Sequence, residues 1–268
     1  MKASILNKIV LAKREELSFR KEMYSEESLT NSKYFNQPCR SLTKHLSASE
    51  SSGIIAEIKR KSPSKGDFHQ LIHVPELAQG YESAGASALS VLTDTTFFGG
   101  MNEDLEEAKS ATSIPILRKE FIIDTYQIIE AKSIGADTIL LIAAILSKDD
   151  ILDFTGLAHQ LGMEVLLEVH SVEELIKIPV NIDLIGVNNR DLKTFNTTLN
   201  TSRSLISHLP ESALKISESG IRSVEDIQFL RSIGYRGFLI GEHFMSQNDP
   251  AQACKELIQS ISSQIPVS

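Results

Sequence analysis

The sequence predicts an α/β protein, a closed (β/α)8 barrel preceded by a helical extension. Apolar segments rich in β-branched residues alternate with helix-like segments, and the alternation repeats eight times over roughly 215 residues. Most of the apolar segments are continuous, as in parallel strands that are covered on both faces. The eight predicted strands of this TIM barrel are Ile54–Ile58, Ala88–Leu92, Pro115–Lys119, Asp137–Ile142, Glu164–Glu168, Ile182–Val187, Leu214–Glu218 and Gly237–Gly241.

Helix-like segments connect the predicted strands and have recognisable starts and ends. Asp124, Ser147 and Ser171 stand at helix starts, where a short polar side chain can accept a hydrogen bond from a free backbone N–H. Gly85 and Gly135 follow helices, at positions where the chain often adopts positive φ. The predicted helices are Val74–Ala84, Met101–Ser110, Thr125–Ile134, Lys148–Leu161, Ser171–Ile178, Asn200–Leu209, Ser223–Ile233 and Ala251–Ile265.

An open, doubly wound sheet is the alternative to the barrel. No Gly-x-Gly-x-x-Gly follows the first predicted strand, and the sequence has no other dinucleotide-binding motif. Similar turns recur before the second, fourth and eighth strands, at 83–87 (SAGAS), 133–137 (SIGAD) and 232–236 (SIGYR). This weak internal repeat favours the barrel.

The first fifty residues precede the barrel. We expect an N-terminal helical extension over residues 1–50 that packs on the barrel, and a single catalytic barrel domain over residues 51–268. The segment 4–19 has the pattern of an amphipathic helix, and the segment 25–47 is less regular. The helix must bury its apolar face against the barrel surface, and that face contains Ile5, Ile9, Leu11 and Leu17.

Composition and charge narrow the possible partners. The 268 residues carry a formal net charge of −8, which argues against nucleic acid, because phosphate-backbone binding needs a surplus of Lys and Arg. No apolar stretch approaches the roughly 18 residues of a membrane-spanning helix, and the N-terminus does not resemble a signal peptide. Cys39 and Cys254 lack paired or metal-ligand spacing. We expect a cytoplasmic protein with free thiols, monomeric or at most weakly dimeric.

A local surplus of positive charge predicts a small anionic substrate. A basic cleft inside an acidic protein attracts a small anion, while the outer surface repels polyanions. The alternative is a solvated basic loop. The basic residues crowd two segments and are Lys59, Arg60, Lys61 and Lys65, and Arg118 with Lys119.

Charged or amide residues end several of the predicted strands. Because charges are costly to bury, their common position indicates one polar site at the carboxyl end of the barrel. For Glu57 and Lys59, which are two residues apart on the first strand, the alternative is an internal ion pair that closes the barrel. The strand-end residues are Glu57, Lys59, Lys119, Glu168, Asn188 and Glu218.

The last two strands end in segments typical of phosphate binding. Ser219 and Gly220 follow strand seven, and Gly241 and Glu242 follow strand eight. Many barrels bind phosphate there through backbone N–H groups, and glycine allows close approach because it has no Cβ. The alternative is that these glycines only form turns.

Taken together, these segments resemble those of indole-3-glycerol phosphate synthase. The match runs in order along the chain, and the Glu-x-Lys-x-x-Ser-Pro-Ser segment is its most specific part. Two residues depart from the family pattern: His243 replaces a small residue, and Met101 stands where serine is common. The matching segments are 56–66 (AEIKRKSPSKG), 92–100 (LTDTTFFGG), 116–121 (ILRKEF), 167–170 (LEVH), 186–192 (GVNNRDL) and 217–221 (SESGI).

The resemblance implies a tryptophan-pathway lyase that needs no metal or organic cofactor. Such an enzyme closes the ring of 1-(2-carboxyphenylamino)-1-deoxyribulose 5-phosphate to indole-3-glycerol phosphate, with loss of carbon dioxide and water. Lys119 is then the general acid, and the remaining acid and base roles are divided among Glu57, Lys59 and Glu168. The alternatives are another phosphate-binding barrel lyase, a Schiff-base aldolase, and a barrel retained as a phosphate-ligand sensor.

The resemblance also implies how the phosphorylated substrate is held. Asn188 and Glu218 would orient the ribulose hydroxyls and the lysines. Phe97 and Phe121 would pack on the anthranilate ring, and Arg190 would hold its loop or contact the substrate carboxylate. The remaining predicted contacts, most of them to phosphate, are Ser62, Ser219, Gly220, Leu239, Gly241 and Glu242.

Overall fold

Eight parallel strands close into a barrel in the computed structural model, which describes residues 5–63, 66–68, 72–191 and 194–263. Each strand is hydrogen-bonded to the next one along the chain, and the last pairs with the first. The predicted barrel is therefore confirmed. The strands are β1 (Ile54–Ile58), β2 (Ala88–Leu92), β3 (Ile116–Lys119), β4 (Thr138–Ile142), β5 (Glu164–Val169), β6 (Leu184–Asn188), β7 (Leu214–Glu218) and β8 (Gly237–Ile240).

Twelve α-helices lie in the described ranges, and none of them is long and apolar enough to cross a membrane. A two-stranded hairpin, Lys61–Ser62 with Gly66–Asp67, follows β1. The helices are α1 (Ile5–Met23), α2 (Glu26–Thr30), α3 (Leu42–Ser47), α4 (Val74–Ser83), α5 (Thr95–Phe98), α6 (Asn102–Ala111), α7 (Thr125–Ser133), α8 (Lys148–Gln160), α9 (Asn200–Leu205), α10 (Val224–Ser232), α11 (Glu242–Met245) and α12 (Pro250–Ser263).

The connection between β5 and β6 differs from the predicted helix. It is a 3-10 helix, Val172–Lys177, and Ser171 makes no side-chain hydrogen bond to cap it. Pro179 follows closely, and a residue before proline is disfavoured in the α region, so the segment is too short for a full α-helix. By contrast, Asp124 and Ser147 cap α7 and α8 with their side chains, as predicted.

Both faces of the strands are buried, which explains their continuous apolar sequences. Residues that point outward pack against the helices and form the larger core cluster. Residues that point inward, such as Ile55, Leu117 and Leu166, fill the barrel. Leu42 and Leu46 of α3 belong to this inner cluster, so α3 closes the amino-terminal end of the barrel and leaves the carboxyl end for a site.

Helix α1 packs over the carboxyl end of the barrel. Ile9 and Leu17 are buried as predicted, whereas the prediction for Leu11 is wrong, since it is 58% exposed. Lys13 is the main polar anchor: its Nζ lies 3.1 Å from Asp94 Oδ2 and 3.1 Å from Glu120 Oε1, just beyond β2 and β3. Burial lowers the pKa of Lys13, but the two carboxylates raise it by more than burial lowers it, so this ammonium stays charged.

Removal of this anchor should destabilise the protein. Replacing Lys13 with methionine leaves the Asp94 and Glu120 carboxylates buried without their cation, at an expected cost of about 3–5 kcal/mol in the free energy of unfolding. Urea denaturation measures this cost. The matched control is Lys21→Met, because the exposed Lys21–Asp124 pair should contribute less than about 1 kcal/mol. Equal stability of the two variants would contradict the anchoring role.

Candidate active site

A cavity of 320 Å³ occupies the carboxyl end of the barrel, beneath α1. Ile5, Leu6 and Ile9 of α1 form part of its wall. The cavity brings together every predicted site residue except Phe97. Those that line it are Glu57, Lys59, Ser62, Lys119, Phe121, Glu168, Asn188, Arg190, Glu218, Ser219, Gly220, Leu239, Gly241 and Glu242.

Lys119 ends β3 and lies between two carboxylates. Its Nζ is 2.6 Å from Glu218 Oε2 on β7 and 3.1 Å from Glu168 Oε2 on β5. The three residues are far apart in the chain, but closure of the barrel brings the carboxyl ends of their strands together. Glu120, the next residue in the chain, pairs with Lys13.

Burial and charge set different protonation states for the three groups. Burial lowers the pKa of Lys119, but Glu218, Glu168 and Glu57 raise it more, so the ammonium is retained. Burial raises the pKa of Glu168, but Lys119 and His170 lower it more. For Glu218, burial and the neighbouring carboxylates outweigh Lys119 and raise the pKa. Glu168 has two cationic neighbours and Glu218 has one, so Glu168 is the carboxylate that stays ionised.

Glu57 and Lys59 form an ion pair at the end of β1, with Lys59 Nζ 2.5 Å from Glu57 Oε1. The Glu57 carboxylate packs against Gly241 at the end of β8, where a Cβ would collide with it. Lys59 also lies over the ring of Phe68, with Nζ 5.5 Å from the ring centroid. The pair faces the same cavity as Lys119, so it can exchange protons with a bound ligand.

Gly186, in the middle of β6, makes room for the Glu218 carboxylate. The two lie on adjacent strands, and a Cβ at position 186 would collide with Glu218 Oε1. Asn188, two residues further along, is the direct β-sheet neighbour of Glu218. Its Oδ1 accepts a hydrogen bond from the Arg190 backbone N–H at 3.0 Å. A glycine inside a strand thus marks a close approach required by the site.

Gly186→Ala should displace the Glu218 carboxylate and lower kcat about a hundredfold, since a misplacement of about 1 Å has effects of that size. Steady-state assays with a thermal melt measure both consequences. The matched control is Gly156→Ala in α8, where the added methyl group meets no atom within 4 Å. We expect this control to keep full activity. Full activity of Gly186→Ala would show that the position of Glu218 is unimportant.

The ends of β7 and β8 form the part of the cavity predicted to bind phosphate. Ser219 and Gly220 have φ of 68° and 78°, and positive φ is uncommon for a serine. Gly241 precedes the short helix α11, whose first residues, Glu242 and His243, line the cavity. The Glu242 side chain turns to Arg190, with Oε2 2.8 Å from Nη2, so its charge is neutralised beside the predicted anion site.

Phe98, and not Phe97, lines the cavity. Both residues belong to α5, and both donate backbone hydrogen bonds to the Asp94 side chain that caps this helix. Successive helical residues point about 100° apart, so only one of the two rings can face inward. Phe98 packs near Phe121 with ring centroids 5.9 Å apart, and these two rings form the aromatic wall.

The predicted basic cluster is only partly at the site. Lys59 and Lys119 line the cavity, but Arg60 pairs with Asp104, and Arg118 is buried in a pair with Glu130 in the helix layer. Lys65 lies outside the described residues. Arg222, which was not predicted, follows the Ser-Glu-Ser-Gly-Ile segment and supplies a further cation to the cavity.

The architecture is shared with proteins of unrelated sequence. The crystal structure of 3-hexulose-6-phosphate synthase from Salmonella typhimurium superimposes with a TM-score of 0.61, covering 78% of this chain and 98% of that chain. The sequence identity is 12%, so this likeness shows the fold alone.

Similarity in sequence identifies the family of the chain, which the shared fold does not. A sequence model of the indole-3-glycerol phosphate synthase family matches residues 6–257. The indole-3-glycerol phosphate synthase of Bacteroides thetaiotaomicron is 46% identical over 257 residues, which cover 96% of this chain and 98% of that protein. That of Bordetella pertussis is 42% identical over 258 residues, covering 95% and 98%. The chain therefore belongs to the indole-3-glycerol phosphate synthase family.

Proposed function

We propose that this protein converts 1-(2-carboxyphenylamino)-1-deoxyribulose 5-phosphate to indole-3-glycerol phosphate in tryptophan biosynthesis. The observation that carries the proposal is a buried Lys119 ammonium in contact with Glu168 and Glu218 inside the barrel cavity. A fixed cation of this kind stabilises negative charge on an oxygen and can protonate it. The family of the chain supplies the reaction that needs such a group.

Lys119 acts in ring closure. The aromatic carbon that bears the carboxylate attacks the ketone carbon of the ribulose chain, and a carbon–carbon bond forms. The ketone oxygen gains negative charge, and Lys119 donates a proton to it. The high pKa of Lys119 keeps the proton available until this charge develops. Ionised Glu168 stabilises the positive charge that forms on the ring nitrogen.

Decarboxylation and dehydration complete the reaction. The bond to the carboxylate breaks, carbon dioxide leaves, and the electron pair restores the aromatic ring. The new hydroxyl group then leaves as water, for which one group donates a proton and another removes the proton from the adjacent carbon. Glu57, Lys59 and Glu168 share these two roles, and they line one cavity.

The remaining residues hold the substrate. Asn188 and Glu218 bind the ribulose hydroxyls, and Phe121 packs on the anthranilate ring together with Phe98. Arg190, held by Glu242, keeps its loop in place. The phosphate binds backbone N–H groups at the ends of β7 and β8. Ser62, Ser219, Gly220, Gly241 and Glu242 form this phosphate site, and Leu239 contributes apolar surface beside it.

A Schiff-base aldolase would need a neutral lysine. The carboxylates around Lys119 favour its charged form, which opposes nucleophilic attack on a carbonyl group. Treatment with borohydride in the presence of substrate separates the two mechanisms. We expect no covalent adduct, and an adduct on Lys119 or Lys59 would overturn the acid role.

The direct test is incubation of the purified protein with the anilino-deoxyribulose phosphate while indole fluorescence is recorded. We expect product without added metal or cofactor, and a protein that binds the substrate without forming indole would be the sensor. We propose that the enzyme is cytoplasmic and that it is a monomer or a weak dimer. Size-exclusion chromatography with light scattering tests the oligomeric state.

A further inference from the structure

A second cleft, of 1070 Å³, lies beside the catalytic cavity. It is bounded by α1 and by the segments that follow β4, β5 and β6. Leu6, Asn188 and Arg190 line both spaces, so the cleft and the cavity share a wall. The reaction assigned above gives this cleft no role.

His170 stands in the wall between the two spaces. Its side chain is 12% exposed and lines the cleft, whereas Glu168, two residues before it, lines the cavity. The His170 Nε2 atom lies 3.3 Å from Glu168 Oε1, and Nδ1 lies 3.6 Å from Glu174 Oε2. The ring therefore has one carboxylate toward the active site and another toward the cleft.

The position of Glu174 is fixed by the backbone. Its Oε2 accepts a hydrogen bond of 2.8 Å from the His170 backbone N–H, and the carboxylate lines the cleft. Neither ring nitrogen of His170 makes a hydrogen bond of ordinary geometry. Each nitrogen nevertheless lies within 3.6 Å of a carboxylate oxygen.

The charges around His170 favour its protonated form. Burial lowers the pKa of His170, but Glu174, Glu168 and Glu218 raise it by a larger amount, so the net shift is upward. An imidazole with a raised pKa can hold a proton near neutral pH and still release it. The charged groups that face it are Glu168 on β5, Glu174 in the 3-10 helix and Glu218 on β7, with Arg14, Arg190 and Asp191 along the cleft.

The overall reaction creates a need for such a group. The ketone oxygen takes one proton, and the departing hydroxyl group takes another. Only one proton returns, from the carbon next to the departing hydroxyl group. The carboxylate leaves as carbon dioxide and supplies none. Each turnover therefore consumes one proton from solvent, and this proton must reach the buried groups Glu168 and Lys119 at the carboxyl end of the barrel.

We propose that Glu174 and His170 carry this proton from the second cleft to Glu168. Glu168, which is otherwise ionised, holds the proton only in transit and passes it to Lys119 after Lys119 has donated its own proton to the ketone oxygen. The distances along the route are 3.6 Å from Glu174 to His170, 3.3 Å from His170 to Glu168 and 3.1 Å from Glu168 to Lys119. His170 acts through Glu168 and does not contact the substrate, so it is a positioning residue for the proton and not a catalytic one. The route rests on the proposed function.

The test separates the first turnover from later ones. His170→Gln keeps a polar side chain but cannot titrate, and the first turnover uses protons already present on the enzyme. With enzyme in excess, we expect the rate of indole formation to stay within about twofold of wild type. In steady state, we expect kcat to fall at least about tenfold, because Lys119 must be reprotonated in each cycle. Imidazole added to the buffer should restore part of kcat.

Two further variants make the result decisive. Glu174→Gln should show the same pattern if the route is correct, and it provides the test should His170→Gln not fold. His73→Gln is the control, since His73 is exposed and pairs only with Glu76 through its ring in the described structure. Equal slowing of both phases would overturn the relay and make His170 structural, and unchanged steady-state rates would overturn it as well. Absence of indole with the wild-type protein would instead refute the proposed function.

Discussion

Lys119→Ala is expected to lower kcat at least about a hundredfold, the usual scale for loss of a general acid. The variant loses both the proton for the ketone oxygen and the positive charge that stabilises it. The barrel should remain folded, because Glu218, whose pKa is already raised, can take up a proton and remove the repulsion with Glu168. Stopped-flow fluorescence of indole formation and far-UV circular dichroism measure the two properties.

Lys109→Ala is the matched control for Lys119→Ala. Lys109 is also a buried lysine, with Nζ 2.6 Å from Asp137 Oδ1, but it lies in α6, away from the cavity. Its loss should lower the melting temperature and leave kcat unchanged. Retention of kcat in Lys119→Ala would remove this lysine from the mechanism.

Glu218→Gln is expected to impair substrate binding and turnover together, by about a hundredfold in kcat/KM. The carboxylate contacts Lys119 and neighbours Asn188, so an amide changes both the position of the acid and the contact with the ribulose hydroxyls. At the same time, the substitution should stabilise the protein at alkaline pH. Activity and stability should therefore move in opposite directions.

The sign of the stability change follows from the pKa of Glu218. Burial, together with the Glu168 and Glu57 charges, raises it to about 7 in the folded protein, whereas an unfolded chain has an ordinary glutamate. A raised pKa favours the folded state at acidic pH, and this contribution is lost as the pH rises through the folded value. Glutamine never ionises, so it does not incur this loss. The difference in melting temperature between the variant and wild type should therefore increase in favour of the variant as the pH rises from 5 to 8.

Thermal melts across that pH range, combined with steady-state kinetics, test the prediction. Glu164→Gln serves as the control, because this carboxylate binds Ser41 and Thr43 at the opposite end of the barrel. Loss of the Glu164 carboxylate should lower the melting temperature and leave kcat/KM unchanged. A Glu218→Gln variant that changes only in melting temperature would make Glu218 a structural residue.

The fold and most of the site could be predicted from the sequence because both depend on local patterns. Strands buried on two faces give continuous apolar segments, and functional groups follow directly at their carboxyl ends. Lys119 and Glu168 illustrate this, since each stands at the end of an obvious strand. The reaction itself came from the resemblance of the motifs to a known family.

Two predictions that differ from the structure depend on orientation within helices. Phe97 and Phe98 are neighbours of the same type, and only the packing of α5 decides which ring enters the cavity. Leu11 is apolar, but it lies on a part of α1 that borders the second cleft and is left exposed. A sequence pattern shows which residues form the apolar face of a helix. It does not show how much of that face the rest of the protein covers.

Buried charges outside the cavity could not be predicted either. The sequence does not show that Lys13 and Arg118 are buried in ion pairs, because their partners Asp94, Glu120 and Glu130 lie on other elements. Arg118 differs from Lys119 only by one position on β3, yet alternation along a strand sends the two side chains to opposite sides of the barrel wall. Their pairings require knowledge of the tertiary structure.

The placement of α1 imposes an order on folding. Its ion pairs join Arg20 to Glu130 and Lys21 to Asp124, which are 110 and 103 residues away in the chain. Most of the stability of a helix in a protein comes from tertiary packing and not from its own propensity. Because these partners belong to α7 and its cap, the segment that leaves the ribosome before the barrel cannot dock until three strands and α7 have been synthesised. The wall of the catalytic cavity is thus completed last by α1, the helix that was synthesised before the rest of that wall.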